Sequence, residues 1–278
     1  MGLRIATNIA SQEVQKNLKG VSKGAESSLN KLSSGKRITK ASDDAAGLAI
    51  ATNLKAQTRG IRQATRNAND GIGLIQTAEG GLNEVSNILI RLRELSVQSA
   101  SDTVGENERG LLDKEYQQLV SEIDRIADAT TFNGSELLNG ESELGTMDFH
   151  VGAFGGEQNR IQFAADETNT RTDEIGVDGT NVLDKEEANN SIENLDTALD
   201  KVSGYRANLG SIQSRLQSTV NNLEIQGINQ DAARSMIEDV DVAYESASLA
   251  SSQVIQNAGI STLAQANNLP TKAMRLIG

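Results

Sequence analysis

Few side chains in this sequence could do chemistry, and they stand apart. His150 is the sole histidine and cysteine is absent. That excludes disulfides, thiolate nucleophiles, iron–sulfur clusters and cysteine-based zinc sites. A lone histidine leaves no His-pair metal site and little basis for a Ser-His-Asp triad. Carboxylates alternate at Asp239 and Asp241, but the glycine and closing glutamate of a calcium loop are out of register. Gly71-Ile72-Gly73 lacks the third glycine and the preceding strand of a dinucleotide loop. Asn133-Gly134-Ser135 and Asn189-Asn190-Ser191 match the N-glycosylation triplet, which has meaning only in a eukaryotic secretory route. Thr168, Thr170, Thr172 and Thr180 offer hydroxyls to O-linked sugars. The sequence therefore predicts no enzyme, no cofactor and no metal site.

The composition favours long helices instead. Of 278 residues, three are Tyr, four are Phe and none is Trp, so the core must be built from Leu, Ile, Val and Ala. Pro270 is the one proline, which permits uninterrupted helices almost everywhere. No apolar run is long enough to span a membrane, and the N-terminus lacks the apolar core of a secretory signal. The net charge of −12 is uneven: residues 135–200 carry sixteen acidic and three basic side chains, residues 1–40 two acidic and eight basic. The basic arm has no aromatic residue to stack on a base, which argues against a nucleic-acid partner.

Apolar residues recur every three to four positions in five stretches, the pattern of narrow coiled-coil seams. The first includes Val14, Leu18, Val21, Leu29 and Leu32; the second runs from Ile61 through Leu92; the third from Leu112 to Ile126; the fourth from Ile192 to Leu223. The last joins Met236, Val240, Ala243, Ala247, Ala250 and Val254. Ser42 is a candidate N-cap, with Asp43 and Asp44 behind it in the first turn. From there to about Gln98 one helix of about 84 Å is predicted. Six glycines from Gly47 to Gly81 require either breaks in it or close packing by neighbours. Alternation at Met147, Phe149, Val151 and again at Ile161, Phe163 predicts a β-hairpin around the turn-rich GAFGGEQN, with His150 on its solvent side. Residues 166–186 read as loop with one short strand. The expected architecture is mainly α: an elongated coiled-coil rod of N- and C-terminal halves with a small hairpin insert, about 140–185, at its tip. Terminal helices at 1–42 and 231–278 form one domain and 43–230 the other. Each terminal arm has one apolar stripe and little else to bury, so its partner is expected to be other copies of the chain.

At this point the motifs bear a family likeness. Leu32–Ile38 (LSSGKRI), Ala41–Ala51 (ASDDAAGLAIA), Asn67–Val85, Arg91–Ala100 (RLRELSVQSA), Ser121–Gly134, Leu209–Leu216, Ala233–Glu245 (ARSMIEDVDVAYE) and Ser261–Pro270 together resemble bacterial flagellins over roughly residues 1–140 and 190–278. The resemblance implies a subunit that self-assembles into a helical flagellar filament, a minimal form without variable outer domains. It implies an inner filament domain made by the terminal arms, with Leu18, Val21, Leu29, Leu32, Val240, Ala247 and Val254 on the self-assembly seam. It also implies export by the flagellar type III route to an extracellular flagellum, and an export chaperone on the C-terminal helix, about 236–270. Hook-junction and cap proteins would be further partners. A vertebrate Toll-like receptor would meet Leu89, Arg91, Leu95 and Glu115, which double as candidate protofilament contacts. A hook–filament junction protein of the same family is the alternative. The TKAMRLIG ending, with Lys272, Arg275 and Gly278, departs from the family's more apolar one.

Overall fold

The computed structural model describes residues 7–141 and 145–274, with side chains to Asn268. Arg275, Gly278 and the side chain of Lys272 lie outside the described residues. Six helices and four short strands are present among them: α1 (Ile9–Ser34), α2 (Ala45–Ser99), α3 (Glu106–Ala129), β1 (Thr131–Phe132), β2 (Ser135–Glu136), β3 (Thr146–His150), β4 (Arg160–Ala164), α4 (Thr172–Ile175), α5 (Lys185–Glu238) and α6 (Val242–Met274). The chain clusters into two units, residues 57–228 and residues 1–56 with 229–278. The division falls inside α2 and α5.

The central unit, 57–228, contains the main core. Ile75, Leu82, Leu89, Leu92 and Leu95 of α2 are fully buried, with Tyr116 and Ile123 of α3 and Leu195, Leu209 and Leu216 of α5. The three-four spacing of these residues is the seam itself. α2 and α5 run antiparallel, because Ile61 meets Leu223 while Arg93 reaches Asp196 at 2.6 Å. α2 is continuous through all six glycines. Neighbours use the space: a Cβ on Gly71 would press on the Phe149 ring at 3.1 Å, and one on Gly81 would meet Leu138 and Thr130 at 2.7 Å. At Gly60 a Cβ would stand 3.5 Å from Ala153, an ordinary contact that needs no glycine.

The hairpin forms as expected, β3 pairing antiparallel with β4 from Thr146↔Ala164 to His150↔Arg160. His150, however, is half-buried, and its carbonyl accepts from Asn67 Nδ2 at 3.0 Å, which holds the strand end against α2. A second hairpin, β1–β2, turns on Asn133 (φ 51°) and Gly134 (φ 83°), the two-residue turn that Asn-Gly favours. Residues 166–186 contain no strand; they form a 3₁₀ turn and the single-turn α4. The four threonines explain why. Thr168 Oγ1 donates to the Leu137 carbonyl (3.1 Å), Thr170 Oγ1 to Leu138 (3.2 Å), Thr172 Oγ1 to Asp124 (2.9 Å), and Thr180 pairs with Tyr116 (2.8 Å). All four are buried, so the folded chain does not offer them to sugars.

In the terminal unit α1 and α6 are antiparallel. Asn8 Nδ2 donates to the Ala266 carbonyl (2.9 Å), Ser11 Oγ to Asn267 Oδ1 (2.8 Å), and Lys31 lies 3.7 Å from Glu245. Asn8 also caps α1, its side chain accepting from Ser11 N at 3.1 Å. Ser42 does not cap α2. Asp44 does, accepting from Gly47 N at 2.8 Å, while Asp43 Oδ2 gathers Thr39 N, Thr39 Oγ1 and Lys40 N into the preceding turn. The predicted stripe 236–254 is interrupted: α5 ends at Glu238 and α6 begins at Val242, so Val240 sits in the connection.

Candidate assembly surfaces

The connection Asp239–Asp241 and the turn after α1 lock together. Gly35 ends α1 in the left-handed region (φ 70°), which frees its carbonyl to accept from Val240 N at 3.1 Å. Arg37 N donates to the Glu238 carbonyl at 2.7 Å, and its guanidinium to the Ile237 carbonyl at 2.7 and 3.1 Å. Glu238 is buried and pairs with Lys36 and, at 3.8 Å, with Arg234; Glu245 is buried beside Lys31. Two sequence motifs from opposite ends of the chain, Leu32–Ile38 and Ala233–Glu245, thus make one joint. Its chemistry is structural: opposed charges fix the register of α1 against α6.

The α1–α6 pair buries little apolar surface. Its buried and half-buried positions include Ser11, Val14, Leu18, Val21, Ala25, Ser28 and Leu32 on one helix and Glu245, Leu249, Ser252, Gln256, Gly259, Leu263 and Ala266 on the other. Leu18 lies 3.0 Å from where a Gly259 Cβ would stand. Of the proposed seam residues, Leu18, Val21 and Leu32 are half-buried on this face and Val240 is half-buried in the connection. Leu29, Ala247 and Val254 point outward, with Leu29 58% and Val254 69% exposed. Ile9, Val242, Tyr244, Ile255 and Ile260 are exposed with them. The sequence pattern therefore merged two faces that α6 presents on different sides. One meets α1 through Leu249, Leu263 and smaller or polar residues; the other leaves Val242, Tyr244, Val254, Ile255 and Ile260 uncovered among polar side chains. An exposed apolar surface of this kind marks an interaction site.

The second candidate face lies in the central unit. Arg91 donates to Glu115 at 2.8 and 3.2 Å and to Glu94 at 3.0 Å. The bonds to Glu115 and then Glu94 hold the guanidinium above its ordinary pKa. Arg91 and Glu115 are exposed, but Leu89 and Leu95 are fully buried in the core and present nothing to a partner. Alternation of roles along α2 explains the difference, since Leu89, Leu92 and Leu95 face inward and Ile90, Arg91, Glu94 and Val97 outward. Ile90 (48% exposed) and Val97 (50%) are the apolar residues of this face that sequence reasoning missed. No cluster of three His, Asp or Glu able to hold a metal ion occurs among the described residues.

Comparison with known proteins follows this geometry. The bacterial flagellin N-terminal helical region matches residues 5–143, and the bacterial flagellin C-terminal helical region matches residues 192–277. A flagellin of Halalkalibacterium halodurans is 42% identical over 91% of this chain and 91% of its own length. The flagellin of Bacillus subtilis is 36% identical over 99% of this chain and all of its own. A flagellar filament 33 kDa core protein of Treponema phagedenis is 37% identical over 97% and 98%. Among solved structures, Bacillus cereus flagellin superposes with a TM-score of 0.51 at 33% identity, covering 61% of this chain and 94% of its own.

Proposed function

The chain belongs to the bacterial flagellin family, and on that premise we propose how its two units divide the work of a filament subunit. The family is structural and makes up the extracellular bacterial flagellar filament; the chain is a filament subunit. Its terminal unit is the inner filament domain. The observation that carries this reading is the number of large apolar residues left uncovered on α1 and α6, Leu29, Val242, Val254, Ile255 and Ile260 among them, on a helix pair that buries almost no large side chain of its own. Covering these residues with those of other copies removes apolar area from water, at about 25 cal/mol per Å². The joint at Gly35 and Val240 presets the angle at which α1 and α6 present them. Purified monomer added to short filament seeds should elongate them. Val254→Asp places a charge on the face and should stop elongation while circular dichroism of the monomer is unchanged. Normal elongation by this variant would remove the seam assignment.

The same face supports the remaining partners. A chaperone that covers α6 until export prevents premature association of Val242, Val254, Ile255 and Ile260. Export through the flagellar type III route accords with a chain that has no cysteine to crosslink in transit. Hook-junction and cap proteins would meet the ends of the polymer through the same helices. For a vertebrate Toll-like receptor, Arg91 and Glu115 are the candidate contacts. Arg91→Ala should lower receptor signalling about tenfold or more, the loss typical of an interface arginine. An unchanged response would leave this face to copy–copy contacts alone.

A further inference from the structure

One groove of the central unit carries side chains that folding does not use. It lies between the hairpin loop Val151–Asn159 and one face of α5, and has a volume of about 570 Å³. Its floor is apolar and closed: Val151, Ile161 and Leu223 are buried and belong to the hydrophobic core of the unit. Its loop wall is preset. Val151 N donates to the Asn159 carbonyl (2.7 Å), Asn159 N to the Gly156 carbonyl (3.2 Å) and Asn159 Nδ2 to the Phe154 carbonyl (2.8 Å). Gly152 makes room for the Asn159 side chain, which a Cβ there would strike, and Gly156 takes φ 131°, a conformation open to glycine. The loop so held leaves Phe154 55% exposed at the rim.

The α5 wall is polar in a regular way. Ser214, Ser218, Asn222 and Gln226 recur every four residues, which stacks them in one row along the helix at intervals of about 6 Å. All four are exposed, and among the described residues none of their side chains has a hydrogen-bond partner. Thr219 differs, because its hydroxyl already donates to the Arg215 carbonyl at 2.8 Å. Serine and asparagine are weak helix formers, and an exposed helical face is better filled by Glu, Lys or Arg. Yet between Arg206 and Glu224 the one charged residue is Arg215. Arg215 is exposed and, among the described residues, its guanidinium is unpaired. On the hairpin side Arg160 engages Asp148 through Nη1 at 3.3 Å. Glu157 shares an adjoining recess with both arginines, but among the described residues no carboxylate lines the groove itself.

We propose that this groove binds a short acidic oligosaccharide. Alcohol and amide side chains both donate and accept hydrogen bonds, as the hydroxyl groups of a sugar require. Their row, with a step of about 6 Å, keeps pace with successive pyranose rings. The exposed Phe154 ring offers a flat apolar face to the C–H groups of a sugar. A guanidinium holds a carboxylate through two parallel bonds, and Arg215 is free to do so, with Arg160 adding a second positive charge. The loop is already ordered by its own hydrogen bonds, so binding does not have to order it. An open concavity with an apolar floor and a few converging polar groups has the form of a ligand site. This is an activity of the single subunit, beside self-assembly and independent of it.

The test titrates the full-length monomer with trigalacturonate and follows the sugar by saturation-transfer NMR. Saturable binding is expected. The methyl ester of the same trisaccharide lacks the charge and should bind about tenfold more weakly, the effect of losing a charge-assisted pair. Arg215→Gln should weaken binding of the acid by about the same factor, and Phe154→Ala by about threefold or more. Ser218→Ala with Asn222→Ala should weaken the acid and the ester alike. Lys114→Gln on α3 removes the same charge outside the groove and should change nothing. Absence of saturable binding, equal affinity for acid and ester, or wild-type affinity in Arg215→Gln overturns the site. Displacement of the sugar by an equal concentration of inorganic phosphate would show a plain anion site and overturn the saccharide assignment. All the replaced residues are exposed, so the thermal midpoints of the variants should match that of the wild type.

Discussion

The two units solve the burial problem in opposite ways. In the central unit, Leu82, Leu89, Leu92 and Leu95 reach zero exposure inside one chain, closed by α3, α5 and the hairpins. In the terminal unit, two helices of 26 and 33 residues meet across serines, a glycine and half-buried leucines, while Leu29, Val254 and Ile260 face out. Both read as apolar stripes in sequence. The difference lies in how many neighbours each stripe has: two helices and two hairpins in one case, a single helix in the other. The central unit therefore carries its own stability. On the proposed assembly, the terminal unit would take most of its stability from other copies, by mass action.

The largest test of this contrast is a pair of truncations. Leu89→Ala should lower monomer stability by about 2–5 kcal/mol in urea unfolding, through lost transfer energy and the cavity left behind. Leu29→Ala should change it by less than about 0.5 kcal/mol, as a surface change does. The ranking should reverse in filaments, where Leu29→Ala lowers the depolymerisation temperature. Equal effects of the two on the monomer would break the distinction between the units.

Two neighbouring glycines sharpen it at smaller scale. Gly81→Ala inserts a methyl group between Leu138 and Thr130, at 2.7 Å from each, and should destabilise by about 1–3 kcal/mol. Gly80 has open space where a Cβ would stand, so Gly80→Ala should stabilise by up to about 1 kcal/mol through helix propensity. Thermal melts of the two variants should move in opposite directions. A stabilised Gly81→Ala would show that α2 is not closely packed against β2 and its neighbours.

What the sequence made legible follows from this division. The seam positions from Ile61 to Leu92 and from Leu195 to Leu223 are periodic because helices packed on both sides demand periodicity, and there the pattern found the core. On α6 the pattern failed. Alanine and serine occur on both faces, so spacing alone did not separate the side that meets α1 from the side left uncovered. The β1–β2 hairpin was signalled by Asn133-Gly134, but two-residue strands offer no alternation to accompany it. The threonine segment looked exposed because its hydroxyls are polar. Each finds a carbonyl, a carboxylate or a phenol, and those partners are distant in sequence. At Leu89 and Leu95 a carried-over binding role met positions that this fold gives to its core. Arg91 and Glu115 remain on the surface because the same helical period turns them outward.

The smallest expected effect is on acid stability, and it again distinguishes the units. Asp43 is held below the usual carboxylate range by the Thr39 hydroxyl first and then the Thr39 and Lys40 amides. In the central unit Asp102 is lowered by Lys185, Glu122 by Arg125 and Asp196 by Arg93. A carboxylate whose folded pKa is depressed adds stability above its unfolded value, about 4, and loses it as pH falls through the folded value. The melting temperature should therefore be flat from pH 7 to 5 and decline below about pH 4. All four groups are exposed, so each contribution is small. Salt separates them. At 1 M the screening length is about 3 Å, which weakens these three ion pairs, Lys185–Asp102, Arg125–Glu122 and Arg93–Asp196. Asp43 is bound by uncharged donors and keeps its bonds. High salt should thus flatten the acid dependence of central-unit melting and leave the protonation of Asp43, followed by carboxyl NMR shifts, where it was. A salt-induced rise of the Asp43 pKa as large as that of Asp196 would show that charge, not the Thr39 turn, holds it down.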